Sequence, residues 1–157
     1  MNFQHNPPAA TTAMLIRRPV AEVFEAFIDP AITSKFWFTD GSSKLEKGKQ
    51  VTWNWSTYNH TSFIDVIDIV KDKKIEITWG AKDAARTRVT WTFETYPDNN
   101  TFVNIVCDKF EGDDDSIIKQ LTDTTGGFCW VIHSCAFFCR WYISYCPAKG
   151  RSQARCR

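Results

Sequence analysis

The sequence predicts an α+β fold in which a curved antiparallel sheet of six to seven strands packs against one long C-terminal helix. Between residues 50 and 108, apolar residues recur at every second position in short segments that turn residues separate. From Asp115 to about Tyr145 they recur at roughly helical spacing instead. Strands joined by short turns run antiparallel, and helices gathered on one face of such a sheet define the α+β class. A length of 157 residues fits one domain.

The N-terminal part predicts one strand and two helices. Thr11 to Arg18 is a first strand, and Pro19 suits the first position of a helix. This helix is amphipathic, with apolar residues at positions i, i+3, i+4, i+7 and i+8: Val20, Val23, Phe24, Phe27 and Ile28. It ends at Asp29 because a residue before a proline avoids helical geometry. A second short helix is expected from Pro30 to Trp37.

The middle of the chain predicts a meander of about six strands. A short strand is expected between turn-like segments at residues 41–44 and 46–49. The mixed parity of residues 62–70 predicts either a bulge or a strand with two covered faces. Charged residues at 71–74 and the run from Pro97 to Asn100 predict hairpin turns. The residues expected to face inward are Trp53, Trp55, Ile75, Ile77, Trp79, Val89, Trp91, Phe93, Val103 and Ile105.

The long C-terminal helix carries two features of its own. Asp113, Asp114 and Asp115 offer an N-cap and acid for the first turn, where the helix dipole favours negative charge. Gly126 and Gly127 interrupt the apolar pattern, and each costs about 1 kcal/mol relative to Ala in a helix interior. A kink, the close approach of another backbone and a tolerated irregularity would each explain the pair.

Composition narrows the classes of function. Aromatic residues make up 15% of the chain, which predicts either a large core or a cavity with aromatic walls. The formal net charge is +1, so the charge of the whole chain predicts no nucleic-acid partner and no anionic membrane surface. The stretch from Met1 to Ala13 is polar and contains prolines, so it does not resemble a signal peptide, and we expect a cytoplasmic protein.

The last 25 residues differ in composition from the rest. Residues 1–132 carry 14 Lys+Arg against 18 Asp+Glu, a net charge of −4, whereas residues 133–157 carry five Lys+Arg and no acid, a net charge of +5. We expect a flexible arm at 1–10, one domain at 11–146 and a basic, disordered tail at 147–157.

The segment from Phe128 to Tyr145 is apolar on nearly all sides of the helix, and three explanations compete. A second copy of the chain would cover the outer face and give a homodimer. Insertion in a membrane normally needs about 20 apolar residues and makes a central Arg140 costly, so no membrane span is predicted. A shifted reading frame over residues 133–157 would explain the abrupt change in composition.

Residues capable of chemistry are present, but their spacing does not favour a catalytic or metal site. Cys129 and His133 share one helix face, whereas Cys135 and Cys139 point about 200° away, so the four side chains do not converge on one zinc ion.

Cys129 and His133 lie one helical turn apart, which is a weak indication of nucleophilic catalysis because no third group orients the imidazole. Asp65 or Asp68 would be a functional candidate if its side chain faced inward, although an outward carboxylate is the favoured interpretation. The sequence predicts no catalytic residue, cofactor or metal.

Several short segments resemble a known family. These are the run from Arg18 to Pro30 (RPVAEVFEAFIDP), Phe36-Trp37-Phe38, the strand pair that ends at Trp79, and the Gly127 to Trp130 entry to the last helix. In the order βααβ6α they resemble the bacterial relatives of the activator of the 90-kDa heat-shock-protein ATPase, within the START-like (SRPBCC) superfamily. The resemblance covers about residues 11–132. It implies a helix-grip fold with a cavity between the sheet and the C-terminal helix.

The resemblance implies three functions that remain open. Relatives bind lipids or other apolar molecules in this cavity, some are cyclases or hydrolases, and the eukaryotic namesake is a co-chaperone. The favoured hypothesis is a binding protein for a small hydrophobic, apolar or aromatic molecule; a cyclase- or hydrolase-type enzyme and a heat-shock chaperone partner are the alternatives. The cavity residues expected on this basis are Phe36, Trp37, Trp53, Trp55, Ile77, Trp79, Trp91, Phe93, Ile105, Phe128 and Ile132.

Overall fold

Seven antiparallel strands form one sheet that packs against a long C-terminal helix. The computed structural model describes residues 8–82 and 85–145, with side chains described as far as Arg140. The elements follow in the order β1 (Ala10–Ile16), α1 (Val20–Ile28), α2 (Pro30–Thr33), β2 (Asp40–Gly41), β3 (Gln50–Trp55), β4 (His60–Val70), β5 (Lys74–Gly80), β6 (Thr87–Tyr96), β7 (Asn100–Asp108) and α3 (Asp114–Tyr145). The predicted α+β class and the order βααβ6α are confirmed.

Strands β2 to β7 form a meander, and β1 pairs with β7 at one edge of the sheet. Its spatial order is β1-β7-β6-β5-β4-β3-β2, and every neighbouring pair is antiparallel. The register of β4 against β5 shifts between Val66 and Asp68, which confirms the bulge that the mixed parity of this strand predicts. The turn between β6 and β7 places Asp98 and Asn99 at φ of 61° and 62°, a conformation that Asp and Asn tolerate better than most residues.

The alternation of apolar and polar residues decides which face of the sheet meets the helices. Eight of the ten residues expected to face inward are buried, and Trp55 and Trp79 are half-buried. The outer face carries ion pairs instead, such as Lys74 with Asp68 and Arg88 with Asp108. Burial of the inward side chains removes their apolar surface from water, which is the main term that holds the layers together.

Two short elements differ from the prediction. The second helix ends at Thr33 rather than at Trp37. Consecutive residues of a helix point about 100° apart, so a continued helix would not bring Phe36, Trp37 and Phe38 against the core together. The chain leaves the helix, and all three rings then contact other core rings. The short strand expected near residue 45 lies at Asp40–Gly41 instead, and Leu45 is a buried loop residue.

Helix α3 runs without interruption from Asp114 to Tyr145. Its buried face carries Ile117, Phe128, Val131, Ile132, Cys135 and Cys139. In the part of the chain that the structure describes, no helix is apolar enough over 18 residues to cross a membrane. The predicted basic tail at 147–157 lies outside the described residues, as does most of the arm at 1–10.

Candidate functional site

A cleft of about 250 Å³ opens between the middle of α3, strand β5 and the bend that follows α2. Its walls are mainly apolar, and its polar groups come from one turn of α3. The cleft is lined by Trp37, Trp79, Asp123, Thr124, Gly127, Phe128 and Val131.

Three aromatic rings form the inner wall of this cleft, and they contact one another. The ring centroid of Trp37 lies 6.1 Å from that of Trp79 and 6.1 Å from that of Phe128. The centroids of Trp79 and Phe128 are 5.8 Å apart. Rings at these separations attract each other, which stabilises this arrangement of the wall. It presents flat apolar surface to whatever enters the cleft.

Gly127 keeps the cleft open on the side of α3. A Cβ atom built at Gly126 or at Gly127 meets no atom within 4 Å outside the adjoining helix backbone. The pair therefore does not mark the close approach of another backbone, and the helix continues through it. Gly127 lines the cleft, whereas Gly126 is exposed outside it. A side chain at Gly127 would occupy space that the cleft now offers.

The structure brings three of the eleven expected cavity residues to the cleft: Trp37, Trp79 and Phe128. Phe36 and Trp55 are half-buried beside it and contact other rings. The other six are buried in the core: Trp53, Ile77, Trp91, Phe93, Ile105 and Ile132. Binding of a ligand by any of the eleven stays a prediction.

The residues of α3 that line the cleft include four that the sequence analysis did not select: Asp123, Thr124, Gly127 and Val131. Asp123, Gly127 and Val131 succeed one another at intervals of four, so they lie along one helix face. Helical spacing counted from Phe128 would have found Thr124 and Val131, which lie four residues before it and three after it. Gly127 and Asp123 then lie four and eight residues before Val131.

The cysteines that the structure describes do not form a nucleophilic site. The Sγ atom of Cys129 lies 3.3 Å from the Thr12 hydroxyl, and Nδ1 of His133 lies 2.7 Å from the carbonyl oxygen of Cys129. The imidazole therefore contacts backbone rather than the thiol. The cysteines of the described residues are all free thiols: Cys107, Cys129, Cys135 and Cys139.

Burial makes the core thiols weak nucleophiles. It raises the pKa of the Cys107 thiol to about 11. A hydrogen bond between the thiols of Cys135 and Cys139, whose sulfur atoms are 3.8 Å apart, raises the pKa of Cys135, and burial raises it further. Among the described residues, no group of three or more His, Cys, Asp or Glu side chains could hold a metal ion.

The two carboxylates of β4 form ion pairs outside the cleft. Asp65 accepts hydrogen bonds from Gln50 and Arg86. Asp68 accepts one from Lys47 and forms an ion pair with Lys74, and hydrogen bonds from these two lysines lower its pKa to about 2. Neither carboxylate is positioned for acid–base chemistry in the cleft.

The order of elements and the cleft between sheet and last helix agree with one family. The family model described as "Activator of Hsp90 ATPase homolog 1-like protein" matches residues 17–122. The chain belongs to this family. The match includes every strand from β2 to β7 and the start of α3. No curated protein matches the chain.

Several solved structures share the fold of this chain. The protein SSP2350 from Staphylococcus saprophyticus is 27% identical with a TM-score of 0.73, over 86% of this chain and 93% of that one. The Aha1 dimer from Colwellia psychrerythraea is 14% identical with a TM-score of 0.72, over 85% and 97% of the two chains. An HSP90 activator from Plasmodium falciparum is 14% identical with a TM-score of 0.66, over 83% and 94%. The last two likenesses concern the fold alone.

Proposed function

We propose that this protein binds a small apolar or aromatic molecule in the cleft between β5 and α3. The observation that carries the proposal is the wall of mutually contacting rings from Trp37, Trp79 and Phe128, which borders open space at Gly127. Ligand sites are typically concave and apolar, with a few polar groups that orient the ligand. A cleft of about 250 Å³ favours a molecule of one or two fused rings over a long lipid.

The polar groups of the cleft favour binding over catalysis. Asp123 is the single carboxylate among the described lining residues, and Thr124 supplies the hydroxyl. General acid–base catalysis of a difficult reaction usually employs more than one positioned group. A cyclase- or hydrolase-type reaction is the alternative, and it would depend on Asp123. Asp123→Asn is therefore expected to leave binding of a neutral ligand intact.

The test is titration of the purified protein with naphthalene derivatives while tryptophan fluorescence is recorded. Trp37 and Trp79 line the cleft, so a bound ring is expected to change their emission. Gly127→Leu is expected to abolish the change, because the new side chain enters the cleft. Gly126→Leu is the matched control, since it adds the same side chain to the same helix turn outside the cleft. Equal binding by both variants, or no response of the native protein, would contradict the proposal.

A homodimer through α3 is a separate proposal about partners. Trp130 and Phe137 lie two turns apart on this helix and are 74% and 68% exposed. Large exposed aromatic side chains on one face are typical of protein–protein contacts. The Aha1 protein from Colwellia psychrerythraea, which has the same fold, is a dimer, and this supports a dimeric form for the present chain as well.

Association with a heat-shock chaperone is the second candidate function. The family description and the HSP90 activator from Plasmodium falciparum favour it. The outward face of α3 at Trp130 and Phe137 is the surface that such a partner would use. Stimulation of the ATPase of a purified 90-kDa heat-shock protein is the measurement. We expect it to depend on Trp130 and to be unaffected by Gly127→Leu, which separates this function from ligand binding.

A further inference from the structure

Among the described residues, one buried side-chain donor has no hydrogen-bond partner. Trp91 is 1% exposed, and its indole Nε1 has no hydrogen-bond acceptor among the described residues. Nearly all buried donors in folded proteins are paired, because an unpaired donor loses its bond to water and gains nothing in return. Such a donor is therefore expected to have a role.

The unpaired donor belongs to a side chain directly beneath the cleft. The ring of Trp91 lies 6.2 Å from that of Trp37 and 6.1 Å from that of Phe128, centroid to centroid. Both of those rings line the cleft. Trp91 also borders a narrow space in the core that is too small to hold a water molecule. Trp37 lines both this space and the cleft.

Trp37 is the ring that has to move for a ligand to reach Trp91, and the ring of the ligand would replace its contacts with Trp79 and Phe128. It lies in the bend between α2 and β2, and its side chain is half-buried. Its backbone N–H donates to the carbonyl oxygen of Thr33 at 2.9 Å, and rotation of the ring about its side-chain bonds leaves that bond intact. Loop residues at the border of a site commonly move when a ligand enters.

We propose that the ligand of the cleft carries a neutral acceptor oxygen, such as a carbonyl, on its apolar ring. When the ring of Trp37 swings aside, this oxygen accepts a hydrogen bond from Nε1 of Trp91. A neutral acceptor is favoured because a charged group would lose its hydration in this apolar surrounding, and because Asp123 at the cleft repels anions. The inference rests on the proposed function and adds the chemical class of the ligand.

The test compares 2-acetylnaphthalene with 2-isopropenylnaphthalene, in which a methylene group replaces the carbonyl oxygen. Pairing a buried donor is expected to make the acetyl compound bind about 10-fold more tightly to the native protein. Trp91→Phe removes the N–H and is expected to abolish or reverse this preference for the acetyl compound, because a buried carbonyl without a donor has lost its bond to water. Trp53→Phe is the matched control, because Trp53 is equally buried and borders the same narrow space. Its ratio of dissociation constants is expected to stay near the native value.

The ratio separates loss of the donor from any change in packing, since both compounds meet the same altered core. The indole ¹H–¹⁵N resonance of Trp91 in the native protein provides a second measurement. It is expected to move downfield when the acetyl compound binds and not when the isopropenyl compound binds. Equal affinity for the two compounds, or a ratio unchanged by Trp91→Phe, overturns this inference and leaves the proposed binding function standing. Failure of both compounds to bind overturns both proposals.

Discussion

Single residues of similar chemistry have different roles in this protein because their depth differs. Trp53 and Trp91 are buried to 2% and 1% exposure and fill the core, whereas Trp37 and Trp79 are half-buried and line the cleft. Replacement of a core tryptophan is expected to cost stability, and replacement of a cleft tryptophan is expected to cost affinity for the proposed ligand. The depth of each tryptophan therefore decides how much stability its substitution is expected to cost.

Asp68 provides a prediction about pH. Its folded-state pKa of about 2 lies below the ordinary value near 3.9, so its ion pairs stabilise the fold above about pH 4. That contribution is lost as the pH falls towards 2. Asp68→Asn is expected to lower the Tm slightly at pH 7, because exposed ion pairs contribute little, and to lower it less at pH 2, where the native carboxyl is partly protonated. Thermal unfolding followed by circular dichroism checks this.

The control for Asp68 is Asp72→Asn, which makes the same change in the nearby β4–β5 turn. The described residues offer Asp72 no ion pair, and its φ of 58° suits Asn as well as Asp. The Tm of this variant is expected to match that of the native protein at both pH values. A difference between native protein and Asp68→Asn that is as large at pH 2 as at pH 7 would contradict the assignment.

At the scale of elements, α3 is continuous in spite of two interior glycines. Because a Cβ at either Gly126 or Gly127 meets open space, alanine at each position is expected to raise the free energy of unfolding by about 1 kcal/mol. Gly48→Ala provides the contrast, since Gly48 also borders open space but has φ of +79°, so alanine there is expected to destabilise by about 1 kcal/mol. Urea unfolding measures all three, and a loss of stability in the two helix variants would contradict the open geometry.

The two faces of α3 are expected to respond differently to truncation. Ile132 is fully buried against the sheet, so Ile132→Ala is expected to cost about 2–5 kcal/mol through lost burial and a residual cavity. Ile118 is 48% exposed on the same helix, and Ile118→Ala is expected to cost less than about 1 kcal/mol. Denaturant titration provides both values. Equal costs would mean that α3 does not pack against the sheet through Ile132.

For the whole molecule, the exposed aromatic side chains on the outward face of α3 predict a homodimer. Trp130→Glu together with Phe137→Glu is expected to convert a homodimer into a monomer, because charge at the contact must be desolvated. The control is Ile118→Glu, which adds the same charge to an exposed apolar position nearer the start of α3. Sedimentation velocity measures the mass of each variant. A native protein that stays monomeric at high concentration would contradict the proposal.

Much of the fold could be predicted along the chain because its signals are local. The alternation around Trp53 and Trp91 predicted strands, and the run Pro97-Asp98-Asn99-Asn100 predicted the turn that joins β6 to β7. The second helix was predicted too long, because the demand that Phe36, Trp37 and Phe38 all reach the core comes from other elements.

The candidate site was less accessible to sequence reasoning. Periodicity correctly directed Trp79 and Trp91 to the same face of the sheet, but it did not distinguish the half-buried ring from the fully buried one. That distinction depends on how far α3 stands from each strand. The distance is set by the side chains of both elements together, including the missing side chain of Gly127.

The amino-acid sequence by itself determined the order of the elements, the face of each strand that turns inward and the position of the long last helix. Each of these follows from the spacing of apolar residues and from turn chemistry within one segment. Tertiary structure alone decided that Trp37, Trp79 and Phe128 surround open space while Trp91 lies sealed behind them without a hydrogen-bond partner among the described residues. The physical reason is that open space is left where side chains from distant segments fail to fill the gap between them, and no single segment carries that information.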